Sequence, residues 1–151
     1  MIRTLQENEV VPLALMKLAD DEAKILTYLS VSEVFVLEEN QQIIGSCVVK
    51  QQSPTTYEVM NLAIAKNQQN QGYGEKLLSA VIQIVRKQKA KVLTIATADT
   101  SLPALHLYQK LGFQQVAVVR NYFMTHYPAP IFEAGRQCMD QIQLQLMLSS
   151  G

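Results

Sequence analysis

The sequence predicts an α+β fold: a mixed, mostly antiparallel central sheet with a parallel βαβ unit at its centre. Three observations carry this. Residues 31–65 hold β-branched runs separated only by polar turns, as in an antiparallel meander. The apolar residues Leu77, Leu78, Val81, Ile82 and Val85 then recur at helical spacing, with Glu75, Lys76, Ser79, Gln83 and Arg86 between them. Directly after that helix, "KVLTIATA" (91–98) returns as a nearly continuous apolar run. A strand, a long helix and another strand make a crossover, so the two strands should be parallel neighbours.

Each element has its own local reason. "IRTL" (2–5) reads as a first strand. Helical spacing at Val11, Leu13, Leu15, Met16 and Leu18 spans residues 10–29, broken near Ala19-Asp20-Asp21 into two short helices. "SEVFVLEE" (32–39) and "QIIGSCVVK" (42–50) flank the polar turn Glu39-Asn40-Gln41 and read as a hairpin. "TTYEVMNLAIA" (55–65) is a third strand after the Ser53-Pro54 turn. The run 91–98 is expected to be buried on both faces, as central parallel strands are. In "TSLPALHLYQKLG" (100–112), Thr100 or Ser101 can cap a helix, Pro103 suits its first turn and Gly112 its stop. "FQQVAVVRNYF" (113–123) and "CMDQIQLQLML" (138–148) are final strands, joined by a long loop, "MTHYPAPIFEAGRQ" (124–137).

The chain of 151 residues suits a single domain, 1–151, with one core. Hydrophobic residues make up 48% and charged residues 17%, which is a globular rather than a disordered composition. Lysine plus arginine and aspartate plus glutamate both number 13, so no net field gathers nucleic acid. No apolar run is long enough to span a bilayer, and the first ten residues lack the apolar core of a signal peptide. Cys47 and Cys138 are too few and too isolated for a disulfide framework or a zinc site, and both are expected in strands as small hydrophobes. No His/Cys/Asp/Glu cluster has metal spacing. The expectation is a cytoplasmic protein with no metal, no nucleic-acid partner and no membrane partner.

The most informative stretch is "QNQGYG" (69–74), between the third strand and the long helix. It lacks the Lys-Ser/Thr ending of a nucleoside-triphosphate loop, since Glu75 and Lys76 follow Gly74. It lacks the third glycine of a dinucleotide fingerprint, because Leu77 stands there. Two readings are left: an anion-binding turn on a helix N-terminus, or a tight turn that needs glycine for packing alone.

The surrounding motifs resemble the GNAT N-acetyltransferase superfamily over nearly the whole chain. That family's pyrophosphate loop, Gln/Arg-x-x-Gly-x-Gly/Ala, matches "QNQGYG". Its Tyr-x-x-x-Gly-Phe signature after the next strand matches Tyr108 to Phe113 in "LYQKLGF". The C-terminal "RNYFMTHYPAPIFEAGRQCMDQIQL" is similar to one bacterial subgroup. The resemblance implies a GNAT fold with helices on both faces of the sheet. It also implies acetyl-CoA as co-substrate and a primary amine of a small molecule or peptide as acceptor. A non-catalytic acyl-CoA-binding or sensor module is the alternative.

The resemblance further implies a set of roles. Backbone N–H groups of Gln71, Gly72, Tyr73, Gly74 and Glu75 would hold the pyrophosphate, in the motif that Gln69 opens. The strand edge at Leu62, Ala63 and Ile64 would pair with the pantetheine arm. Tyr108 would protonate the leaving thiolate and Glu58 would act as base. Period two puts Glu58 on the same strand face as Ile64 and turns Asn61 to the other side, where it would anchor substrate or backbone. His126 and Tyr127 in the long loop are substrate-side candidates, His126 also as a rival base, and Glu133 and Arg136 would shape the acceptor pocket. His106 points away from Tyr108 on their helix and reads as surface. Family members often carry an asparagine at the start of the tyrosine helix. Here "ADTSLPA" offers Asp99, Thr100 or Ser101 instead. Exposed C-terminal strands permit a homodimer.

Overall fold

A seven-stranded mixed sheet organises the computed structural model, which describes residues 1–148. Along the chain run β1 (Ile2–Thr4), α1 (Leu13–Met16), α2 (Glu22–Tyr28), β2 (Glu33–Glu39), β3 (Gln42–Gln51), β4 (Thr56–Ile64), α3 (Tyr73–Lys87), β5 (Val92–Ala98), α4 (Leu102–Lys110), β6 (Gln114–Val119), α5 (Tyr122–His126), β7 (Phe132–Glu133), β8 (Arg136–Gln137) and β9 (Gln141–Met147). The strand order is β1-β2-β3-β4-β5-β9-β6, with β7 and β8 forming a separate hairpin. Only β4 and β5 are parallel, as the crossover through α3 requires.

The local chemistry explains most boundaries. Glu39 pairs with Gln42, leaving Asn40 (φ 50°) and Gln41 (φ 65°) as a left-handed two-residue turn that matches strand twist. The broken helical stretch yields α1 and α2, and the Asp21 side chain caps α2 by accepting from the Ala23 N–H at 3.2 Å. Gly112 ends α4 at φ 103°.

The sheet buries both faces. On one, Leu77, Leu78, Val81 and Val85 of α3 pack against strand residues including Phe35, Cys47 and Leu93. On the other, Met16, Ile25 and Tyr28 from α1 and α2 pack against Val34, Val36 and Val48.

One irregularity matters for all that follows. Val48 pairs with Asn61 and Val49 with Val59, so Met60 is an extra residue in β4, a β-bulge. The β4–β5 ladder runs from Thr56–Val92 only to Val59–Ile95 and stops there. Beyond it β4 continues to Ile64 along β3 and β5 to Ala98 along β9, but no longer with each other, so the two strands part at the sheet's centre.

The bulge also overturns the expected facing of β4. Glu58 and Met60 lie on the α1/α2 face, and Asn61 joins them by donating to the Met16 carbonyl at 3.0 Å. Leu62 and Ile64 turn to the α3 face. Glu58 thus shares a face with Asn61 and not with Ile64, because one inserted residue inverts the alternation.

Four further expectations change. β5 is not buried on both faces: Leu93, Ile95 and Ala98 are buried, and the residues between them only partly so. The run 113–123 stops being strand at Val119, and Asn121 (φ 57°) starts α5. The loop 124–137 is not structureless: it carries the end of α5 and the β7–β8 hairpin, turned by Ala134 (φ 54°) and Gly135 (φ 77°). Cys138 is buried but follows β8 rather than lying in a strand.

Leu77 is fully buried at the α3–sheet contact. Leu77→Ala should lower unfolding free energy by about 2–5 kcal/mol in urea titration, since a cavity adds to the lost transfer energy.

Candidate active site

The parting of β4 and β5 opens a cleft of about 1080 Å³ lined from both sides of the sheet. Glu58, Met60 and Asn61 enter it from one face, and Pro103, Ala104 and Tyr108 of α4 from the other. The β-bulge makes this possible: a continuous ladder would seal the sheet here with main-chain hydrogen bonds.

Outside the lining of this cleft, the start of α3 lies against Ile64 of β4 and Leu107 of α4. Gly72 occupies the cap position at φ 86°, a left-handed conformation that glycine takes without strain, and a side chain there would meet nothing within 4 Å. No side chain caps the helix, and the first intrahelical bond is Lys76 N–H to Gly72 O at 3.1 Å. The backbone N–H groups of Gln71, Gly72, Tyr73, Gly74 and Glu75 therefore have no protein partner among the described residues. Such converging donors at a helix N-terminus suit an anion. The empty space beside Gly72 argues against a glycine kept for packing. The Gln69 side chain donates to the Ile64 carbonyl at 2.9 Å, tying the loop to the end of β4. Glu75 pairs with Lys110 at 2.8 Å, which directs its charge toward α4.

Tyr108 is 7% exposed, packs at 6.0 Å between ring centroids from Phe113, and lines the cleft. Its hydroxyl has no hydrogen-bond partner among the described residues. Burial pushes its pKa above the ordinary phenol value, and Cys47 and the Glu133 carboxylate add to the shift. Cys47, fully buried on the same side of the sheet, has its thiol pushed up to about 12 by desolvation.

Glu58 lines the opposite wall and accepts a hydrogen bond from Gln52 Nε2 at 2.8 Å. Asn61, 4% exposed, donates to the Met16 carbonyl and to the Tyr28 hydroxyl at 3.2 Å. The Tyr28 hydroxyl in turn donates to Asp20 at 3.2 Å, and the Tyr127 hydroxyl donates to the same carboxylate at 2.7 Å. Burial, reinforced by Asp20, raises the pKa of Tyr127, and burial raises that of Tyr28. Tyr122 and Phe123 complete an aromatic wall.

Among the expected residues, Leu62 lines the cleft, whereas Ala63 and Ile64 lie farther along β4, paired with β3 but not with β5. Ser101 stands at the α4 cap position, but its hydroxyl donates to Glu133 of the β7–β8 hairpin rather than capping the helix. Thr100 contacts both Glu133, at 3.4 Å, and Cys138, at 3.2 Å. Asp99 accepts from the Met139 N–H at 3.1 Å and stays out of the cleft. His126 lies outside too: its ring stacks on Tyr122 at 4.1 Å and its Nδ1 contacts Thr125 and the Tyr122 carbonyl. His106 is exposed. Asp20, Tyr28, Tyr122 and Phe123 were not anticipated. Asp20 had a visible trace as the acidic break between two helices, but nothing local links it to Tyr127. Among the described residues no metal-binding cluster exists and no helix is long and apolar enough to cross a membrane.

Comparison with known proteins places this geometry in context. The profile described as Acetyltransferase (GNAT) family matches residues 7–113. The Bacillus subtilis (strain 168) protein named "Uncharacterized N-acetyltransferase YvbK" is 34% identical over 135 residues, covering 89% of this chain and 87% of that protein. A crystal structure of a GNAT family acetyltransferase from Elizabethkingia anophelis with acetyl-CoA bound has a TM-score of 0.95 at 36% identity, covering 98% of this chain and 97% of that one. The IAA acetyltransferase from Bacillus cereus ATCC 14579 has a TM-score of 0.93 at 33% identity, covering 98% and 99%.

The buried phenol of Tyr108 gives a pH prediction. A raised pKa means that the folded state holds its proton more tightly than the unfolded state. This contribution is complete below the unfolded phenol value of about 10 and is lost as pH rises through the folded value. Tyr108→Phe should therefore soften the alkaline loss of stability, read as the change in thermal midpoint between pH 8 and pH 11.

Proposed function

This chain belongs to the acetyltransferase (GNAT) family, and from that premise we propose that it moves the acetyl group of acetyl-CoA onto a primary amine of a small molecule or peptide by direct attack in a ternary complex. The observation that carries this reading is the meeting of three unused sets of groups. These are the free N–H groups at the start of α3, the β4 edge that has no β5 partner after Val59, and the free phenol of Tyr108 in the cleft where the two strands part.

The pyrophosphate of acetyl-CoA sits on the N–H groups of Gln71 to Glu75. The donors are local backbone dipoles, so a chain of zero net charge can hold a polyanion. The amide-bearing arm pairs with the β4 edge at Leu62, Ala63 and Ile64 as an added strand would. That delivers the thioester to the gap at the bulge, with the acceptor arriving from the α1/α2 face.

A lysine-like amine, with a pKa of about 10.4, is mostly cationic at neutral pH and must lose a proton first. Glu58, on the acceptor face, takes it directly or through water. The amine nitrogen then attacks the carbonyl carbon, and a backbone N–H near Leu62 or Ala63 stabilises the oxyanion. Collapse of the intermediate breaks the C–S bond, and Tyr108 donates its proton to the departing sulfur. A raised phenol pKa would make Tyr108 a weak acid toward a thiol in water. Positioning in the cleft, with the proton held beside the departing sulfur, is what Tyr108 contributes. Glu58 passes this first proton to solvent and takes the second from the attacking nitrogen as the intermediate collapses. That proton also leaves to solvent, from which Tyr108 is reprotonated, so one proton is released per transfer. Asn61 is read as an anchor for the acceptor wall rather than a proton carrier.

Thiol release from acetyl-CoA against a panel of amines tests this. Tyr108→Phe should lower kcat by about 10²–10⁴-fold, with the KM for acetyl-CoA little changed. Glu58→Gln should lower kcat by a similar factor, with the KM for acetyl-CoA again little changed. Acetyl-CoA binding without thiol release on any amine would instead favour the acyl-CoA-binding module.

A further inference from the structure

The acceptor wall carries a carboxylate that no ion pair among the described residues engages. The Asp20 carboxylate receives three donors, the Asp21 N–H at 2.8 Å and the hydroxyls of Tyr28 and Tyr127, and all three are neutral. No lysine or arginine among the described residues forms an ion pair with it, whereas Lys17, which also lines the cleft, pairs with Glu22 at 3.3 Å. The donors come from three segments, the α1–α2 linker, α2 and the stretch after α5, so Asp20 is held in place in a cleft of which it is part.

Two features beside it bear on a cationic ligand. The Lys24 ammonium, 5.3 Å from the centroid of the Tyr127 ring, shows that a cation fits against this wall, and a ligand shares the wall with it. Asn61, bonded to the same Tyr28 hydroxyl, spends its amide N–H groups on Met16 and Tyr28 and leaves its buried oxygen without a partner among the described residues. Glu58 provides a second carboxylate on the same face, likewise without an ion pair among the described residues.

We propose that Asp20, held by Tyr28 and Tyr127, determines acceptor specificity by binding a positive group other than the amine to be acetylated. The acceptor class is then a small diamine, or an amine bearing a second cation. One ammonium rests between Asp20 and the tyrosine rings. The other reaches Glu58, loses its proton and attacks the thioester. A monoamine leaves the Asp20 charge uncompensated, and an amino acid brings a carboxylate against it.

The inference rests on the acetyltransferase reading above, and the experiment separates the two. Thiol release is measured with 1,4-diaminobutane, n-butylamine and 4-aminobutanoate at equal concentrations. The wild type should prefer the diamine over butylamine by about tenfold in kcat/KM, and 4-aminobutanoate should be poorest. Asp20→Asn should raise the KM for the diamine about tenfold and abolish its advantage, with less than a twofold change in the KM for acetyl-CoA. Asp20→Glu, which keeps the charge, should restore part of the preference. Equal or better rates with butylamine or 4-aminobutanoate in the wild type would overturn the proposal, whether or not the variants fold. So would an Asp20→Asn loss shared equally by all three amines. Absence of thiol release with every amine, despite acetyl-CoA binding, would overturn the acetyltransferase reading itself.

Discussion

A single inserted residue, Met60, governs the layout of this molecule. Within a regular ladder β4 would stay paired with β5 to its end, and the centre of the sheet would be closed. The bulge bends β4 away after Val59. It opens a passage through the sheet and leaves main-chain groups of β4 without a strand partner on that side. It also inverts the side-chain alternation, so that Glu58 and Asn61 both face α1 and α2. Tyr108 reaches the same passage from the α4 side. Donor and acceptor can therefore approach from opposite faces of one sheet, and no domain movement is needed to bring them together.

The electrostatics are local. The chain has no net charge, yet its surface is locally polarised. The start of α3 presents uncapped N–H groups, while the cleft wall presents Asp20 and Glu58 with neutral hydrogen-bond partners. The Glu133 carboxylate of the β7–β8 hairpin lies at the start of α4 on the Ser101 and Thr100 hydroxyls, so the chain's own hairpin engages that helix start.

Much of this was legible in the sequence, for identifiable reasons. The β2–β3 hairpin follows from a polar two-residue turn. The parallel β4–β5 pair follows from strand–helix–strand order, and the α3 loop from Gly72, placed where the backbone turns left-handed. The facing of Glu58, Asn61 and Ile64 was not legible, because period two holds only without a bulge, and the bulge depends on how β3 pairs with β4. The Asp20–Tyr127 contact joins residues 107 positions apart and leaves no local pattern. The hairpin at 132–137 had Gly135 as a hint, but Ala134 in a left-handed conformation is not a residue that signals a turn. Ser101 was legible as a cap position, yet its hydroxyl serves a distant carboxylate.

Amide hydrogen exchange with and without acetyl-CoA tests most directly whether the opened sheet is the acetyl-donor site. The account predicts added protection at two separated stretches, Leu62–Ile64 on β4 and Gly72–Glu75 at the start of α3, with β1 and β6 unchanged. Binding that protects neither stretch would contradict it, because the free backbone groups made by the bulge and the uncapped helix would then not be what holds the ligand.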